Sequence, residues 1–272
     1  MPDTRQNVGV TPRLVATDLD GTLVGADGLV SDYTRSVLQE LDGRGVPVIF
    51  VTGRPLRWAM EVFEHVGSLG LAIISNGALV WDVAAHAPRL ERALPPADAV
   101  EVAELIRDAV PGSTFATESR RGYGREPDFM PRLPPPPNAP VAPIAELVVE
   151  PLFKLLARHE ELAPLDYWEL AEKVVGDRAT ITWSSTTTML EISAPGVTKA
   201  TTLELVCHEL GFGADDVIAF GDMPNDVPML SWAGTSYAMK DAHPSVVSCA
   251  VNLAPSHDED GVARVLAEVF AL

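Results

Sequence analysis

The sequence predicts a doubly wound α/β fold, a parallel sheet covered by helices, with a smaller α/β module inserted near its middle. Three observations carry that expectation. Short apolar runs alternate with helical patterns over the first third of the chain, the same alternation returns in the last third, and between them the pattern breaks into proline-rich and β-like pieces. Strand, helix and strand within about forty residues is the rhythm of βαβ units, which build parallel sheets.

The run Arg13 to Thr17 is apolar and empties abruptly into Asp18-Leu-Asp-Gly-Thr22, so it reads as a buried strand feeding a loop. Ser31 is the expected N-cap of a helix whose apolar residues Val37, Leu38 and Leu41 fall at helical spacing, with Gly43 and Gly45 closing it. Val46 to Val51 is a second strand, stopping at Thr52-Gly-Arg-Pro55. A helix from Pro55 to Val66 and a strand from Leu71 to Ile74 follow, the strand ending at Ser75-Asn-Gly-Ala78. Late in the chain, Lys199 to Leu210 reads as a helix and Asp216 to Phe220 as a strand ending in Gly221-Asp-Met-Pro-Asn-Asp226. Helical patterning resumes at Val227.

We therefore expect one domain from residues 1–78 and 191–272, and an inserted domain from residues 79–190. Inside the insertion, Pro95 to Val110 is an amphipathic helix candidate and Ala179 to Trp183 is β-like. The segment Glu126 to Pro143 is crowded with prolines, and Pro134 to Pro137 forms an extended or turning connection, because proline lacks the amide proton that helices and central strands need.

Composition narrows the function. At 272 residues, 47% of them apolar, the chain closes a sizeable core. Its 20 Lys and Arg against 38 Asp and Glu leave a net charge of −18, which repels nucleic acid and anionic membrane. Cys207 and Cys249 show neither CxxC spacing nor a histidine pair, so a reducing, cytoplasmic setting is expected and a zinc or disulfide framework is not. No apolar run approaches the roughly 18 residues that span a bilayer, and Met1 to Pro12 lacks the apolar core of a signal peptide. A monomer and a homodimer are both compatible with these numbers.

The chemistry sits at the strand ends. In doubly wound sheets, ligands bind outside the carboxyl ends of the strands, near the point where strand order reverses, so the polar loops above should share one crevice. Asp18 and Asp20 alone would be a solvated Asp-Gly turn, but Asp222 and Asp226 end another strand facing the same crevice. Converging carboxylates resist joint ionisation unless a cation compensates, and an oxygen-only set suits a hard dication, Mg²⁺ above all. Thr52 with the following Gly53, and Lys199 at a helix start, add hydroxyl, amide and ammonium donors suited to phosphate. Arg54 suits a structural ion pair or an anion, and Asn76 suits a turn or a contact to substrate phosphate. The scattered histidines and tryptophans form no ligand set or stacking platform, and neither GxxxxGK[ST] nor a GxGxxG after a strand is present.

Taken in order, Asp18-Leu-Asp-Gly-Thr-Leu23, Val51-Thr-Gly-Arg54, Lys199 and Gly221-Asp-Met-Pro-Asn-Asp226 resemble the four motifs of the haloacid dehalogenase (HAD) superfamily of phosphatases. The insertion after Ser75-Asn-Gly-Ala78 resembles the large α/β cap of its Cof-type branch, class IIB. The resemblance implies that Asp18 is the nucleophile forming an aspartyl-phosphate and that Asp20 is the acid and then the base. It further implies that Mg²⁺ is held by an Asp18 oxygen, the Asp20 backbone carbonyl and Asp222, with Asn225 or Asp226 completing the site. Thr52 and Lys199 would take the remaining phosphoryl oxygens. The implied substrate is a small phosphorylated metabolite, a sugar or polyol phosphate. A phosphomutase and an idle phosphometabolite-binding protein are the rival readings.

Overall fold

The computed structural model describes residues 11–25, 28–66, 70–183 and 188–272, with the side chains at 64–66 left out. The segment Met1 to Val10 and the side chain of His65 therefore lie outside the described residues. The chain opens with β1 (Leu14–Thr17), α1 (Asp32–Gly43), β2 (Val48–Val51), α2 (Leu56–Val66) and β3 (Leu71–Ile74). The three strands are apolar and buried along their whole length, as expected for a sheet covered on both faces. Ser31 caps α1, its hydroxyl accepting from the Thr34 amide, and Val37, Leu38 and Leu41 form the buried stripe of that helix.

After β3 the chain turns back through β4 (Leu79–Asp82) and β5 (Ala87–Glu91), both antiparallel. It continues through α3 (Pro96–Ala109), β6 (Thr114–Ser119), β7 (Gly122–Arg125), α4 (Ile144–Leu147), β8 (Leu152–Arg158), α5 (Pro164–Val175), β9 (Thr180–Thr182) and β10 (Met189–Ser193). The last stretch contains α6 (Lys199–Leu210), β11 (Val217–Gly221), α7 (Val227–Trp232), β12 (Thr235–Met239), α8 (Pro244–Cys249), β13 (Asn252–Ala254) and α9 (Gly261–Phe270).

Two sheets result. The larger runs β13-β12-β11-β1-β2-β3-β4-β5, parallel from β13 through β3. The smaller, antiparallel throughout, runs β7-β6-β8-β10-β9. One apolar cluster around Phe50 and Phe220 and a second around Ile49 and Leu203 cover the two faces of the larger sheet, and a third around Phe115 and Tyr167 fills the inserted module.

The expected boundary at residue 79 needs correction. Residues 79–91 form a hairpin hydrogen-bonded to β3, so they extend the larger sheet rather than open the insertion. We place the division near residues 93 and 194, where the chain passes between sheets. Glu126 to Pro143 contains no helix or strand, in keeping with its prolines.

Candidate active site

Neighbouring strands β11, β1, β2 and β3 run parallel, and the loops leaving them carry Asp222, Asp18, Thr52 and Asn76 respectively. The chain winds away from β1 in both directions, through β2 and β3 on one side and β11 to β13 on the other. The crevice therefore lies at the reversal of strand order. The opening it forms with the inserted module encloses about 600 Å³, and Asp18, Asp20, Gly53, Lys199, Asp222 and Asn225 line it.

Asp18 is buried at the end of β1, its amide donating to the Phe220 carbonyl at 3.0 Å. Thr198 caps α6 by accepting from the Thr201 amide, so Lys199 opens that helix with its side chain directed inward. The Lys199 ammonium, fully buried, donates to Asp18 Oδ1 at 2.5 Å and to Asp226 Oδ1 at 2.6 Å. Burial lowers the ammonium's tendency to hold its proton, but the two carboxylates outweigh it and hold Lys199 above its ordinary range.

Asp222 follows β11 and accepts from the Thr22 hydroxyl at 3.0 Å. Its close approach to the opening loop requires Gly21, at φ +74°, where a Cβ would overlap the Asp222 carboxylate. Carboxylate oxygens of Asp18, Asp222 and Asp226 lie within 4.8 Å of one another. Burial pushes the Asp18 carboxyl well above the usual carboxylate range, Lys199 opposes this, and Asp226 and Asp222 add to it. Burial and Asp226 likewise push Asp222 up to about 7. A second positive charge is what this cluster lacks, and three carboxylates at this spacing can hold a metal ion.

The remaining expected residues divide. The buried Thr52 hydroxyl accepts from the Arg54 amide at 3.0 Å, which leaves its own proton to donate. Asp20 is held by Arg54 through both carboxylate oxygens, so Arg54 makes the ion pair rather than a free anion contact. Asp226 is fully buried with Oδ1 on Lys199 and Oδ2 on the amides of Asp222 and Met223. Those bonds make it a brace for the lysine and for its own loop. Asn76 departs from the expected phosphate contact: its Nδ2 donates to Glu191 at 2.7 Å and Thr182 at 3.2 Å, both residues of the inserted module. Its backbone sits at φ 57°, a conformation asparagine tolerates.

Several crevice residues were invisible to motif reasoning. Arg57 pairs with Glu118 at 2.6 Å across the seam between sheets, its guanidinium 3.9 Å above the Trp58 ring. Lys154 donates to the Gly53 carbonyl at 2.6 Å and pairs with Glu191 at 3.0 Å, both side chains buried. Pro131, Pro134 and Pro135 of the proline-rich segment also line the crevice. The one available signal was a charge inside an apolar strand, Lys154 within Leu152 to Ala157 and Glu191 between Leu190 and Ile192.

A parallel sheet with an acidic, lysine-braced crevice at its switch point and a second module over it defines a hydrolase of one family. The chain belongs to the haloacid dehalogenase-like hydrolases, whose family model matches residues 15–266. It is 28% identical over 261 residues to 5-amino-6-(5-phospho-D-ribitylamino)uracil phosphatase YcsE of Bacillus subtilis, covering 96% of this chain and 97% of that one. Its fold is similar to that of SMU.1108c from Streptococcus mutans, with TM-score 0.83 at 21% identity, covering 96% and 100% of the two chains. The HAD subclass IIB sugar phosphatase BT4131 shares the fold with TM-score 0.78 at 17% identity, covering 96% and 100%. Among the described residues no helix is long and apolar enough to cross a membrane.

Proposed function

We propose that this hydrolase is a Mg²⁺-dependent phosphatase of a small phosphorylated metabolite, a sugar or polyol phosphate, acting in the cytoplasm. The observation that carries the reading is the meeting of Asp18, Lys199 and Asp222, which are far apart in the chain, at one crevice that Gly53 also lines. The relatives named as phosphatases act on substrates of this kind.

The donor set suits Mg²⁺: among the described residues the clustered groups are carboxylates alone, Asp18, Asp222 and Asp226, and the set is short of positive charge. Asp18, Asp222 and the Asp20 backbone carbonyl would hold the ion, with Asn225 completing the site. When bound, it would offset the repulsion between carboxylate and phosphate and stabilise the charge of the transition state.

The chain's own groups do the rest. Asp18, oriented by Lys199, attacks phosphorus in line; the Asp18–phosphorus bond forms as the ester bond to the leaving oxygen breaks. Asp20 gives its proton to that leaving alkoxide. It then takes a proton from the water that attacks the aspartyl-phosphate, releasing inorganic phosphate and restoring Asp18. Thr52 and the Gly53 amide face the phosphoryl oxygens, and Lys199 offsets their charge. Asp226 keeps Lys199 ionised and in place.

Phosphate release from para-nitrophenyl phosphate, with and without EDTA, tests the proposal. Turnover that vanishes with chelator and returns with Mg²⁺ is the expected result; full activity in excess EDTA would remove the ion from the account.

A further inference from the structure

A chain of hydrogen bonds links the cap to the loop of Asp222, and its direction is dictated from one end. Glu191, on β10 of the cap, is an acceptor only, so Asn76 must turn its amide nitrogen toward it, at 2.7 Å. The Asn76 oxygen is thereby committed to the opposite side, where it accepts from Asn225 Nδ2 at 3.1 Å. Asn225 in turn has its oxygen left over. Asn225 Oδ1 is buried without a hydrogen-bond partner, and the residue lines the crevice beside Asp18 and Asp222. Glu191, Asn76 and Asn225 are all more than nine-tenths buried.

An unpaired buried oxygen, on a residue that lines the same crevice as Asp18 and Asp222, is costly unless a cation or its water uses it. Had Asn225 faced the crevice with its nitrogen, the nearest charge it could serve would be negative. We infer that Glu191 is a positioning residue of the cap which, through Asn76, points the Asn225 oxygen at the divalent cation or a water bound to it. The metal site is therefore complete only when the cap lies against the sheet. This inference rests on the reading of Asp18 and Asp222 as cation ligands.

Reversing the relay tests it. In Glu191→Gln the Lys154 ammonium, a donor only, draws the new carbonyl oxygen, so the Gln amide faces Asn76. Asn76 and then Asn225 must flip, and a nitrogen replaces the oxygen at the crevice. Calorimetric titration of the full chain with MnCl₂ should show affinity about tenfold or more weaker than in the wild type, the usual cost of losing a residue that orients a ligand. Adding Asn225→Asp to that variant should restore affinity to within about threefold. One Asp oxygen then accepts from the flipped Asn76 and the other faces the cation, a rescue that a merely structural role for Glu191 does not produce.

A folded Glu191→Gln chain whose affinity stays within about twofold overturns the inference, as does failure of the rescue. Because the substitution leaves a buried ammonium without its partner, thermal melting accompanies each titration. If that variant does not fold, Asn225→Asp alone decides. Coulomb's law by itself predicts tighter Mn²⁺ binding from the added charge, whereas the relay sets the new carboxylate against the Asn76 oxygen and predicts no gain. Tighter binding overturns the relay. A wild-type chain that binds no cation overturns the reading beneath it instead, so the two failures are told apart.

Discussion

Arg54 grips Asp20 by both carboxylate oxygens, Nη2 to Oδ1 at 2.6 Å and Nε to Oδ2 at 2.8 Å, while its third nitrogen donates to the Trp58 carbonyl at 3.2 Å. The guanidinium is thus fixed at both ends, and it fixes in turn the carboxylate proposed as acid and base. Lysine cannot reproduce a planar two-pronged contact. Arg54→Lys should lower kcat on para-nitrophenyl phosphate about tenfold and Arg54→Ala about a hundredfold, with smaller changes in KM. Equal kinetics for both variants and the wild type would show that Asp20 needs no such clamp.

Asp18→Asn removes the proposed nucleophile while keeping its shape. Turnover should fall by at least about 10⁴-fold. The melting temperature should hold or rise, because a carboxyl pushed above its ordinary range by burial is a burden on the folded state. Loss of activity accompanied by collapse of the fold would count against the assignment.

The chelated protein should lose stability as pH rises. Asp222 is pushed up to about 7 in the folded chain, so folding favours its protonated form. That contribution is fully present below the ordinary carboxylate range and is lost as pH climbs toward about 7. Melting curves in EDTA should therefore shift downward between roughly pH 4 and pH 7, and millimolar MgCl₂ should reverse most of the shift at the upper end. An EDTA melting temperature that is flat across this window would contradict the charge-poor site.

Gly21→Ala should be far more damaging than an ordinary loop substitution. The added methyl would overlap the Asp222 carboxylate, and the φ of +74° is unfavourable for alanine. We expect a melting temperature lower by several degrees, from about 1 kcal/mol or more of backbone strain, and at least about a hundredfold weaker kcat/KM from displacement of Asp222. Wild-type kinetics in the alanine variant would show that Asp222 does not need its close approach.

The legible part of this molecule is the part whose signals are local. A buried strand running into Asp18-Leu-Asp-Gly announces itself within ten residues, as do Thr52-Gly53 and the loop of Asp222, and the order of these segments places them at one end of one sheet. The hairpin at 79–91 reads as part of the insertion because two strands added antiparallel to a sheet edge look, in sequence, like any break in βαβ rhythm. Asn76 is legible only in part, for a different reason. Its turn geometry was readable, but the partners of its side chain, Thr182 and Glu191, lie 106 and 115 residues away. Lys154 and Gly53 meet across 101 residues, and no periodicity encodes a contact of that kind.

The seam between cap and sheet carries Arg57 to Glu118, Lys154 to Gly53 and Asn76 to Glu191, and beside these polar pairs Phe153 of β8 is buried in the apolar cluster of the larger sheet. Water can satisfy each of the three polar pairs if they part, whereas Phe153 would carry apolar surface into solvent, so it is the one member of the seam that resists separation. A fastening of this kind works like a wet zipper with one greasy tooth: its polar edge would release cheaply, and the single aromatic anchor would draw the two halves back into register.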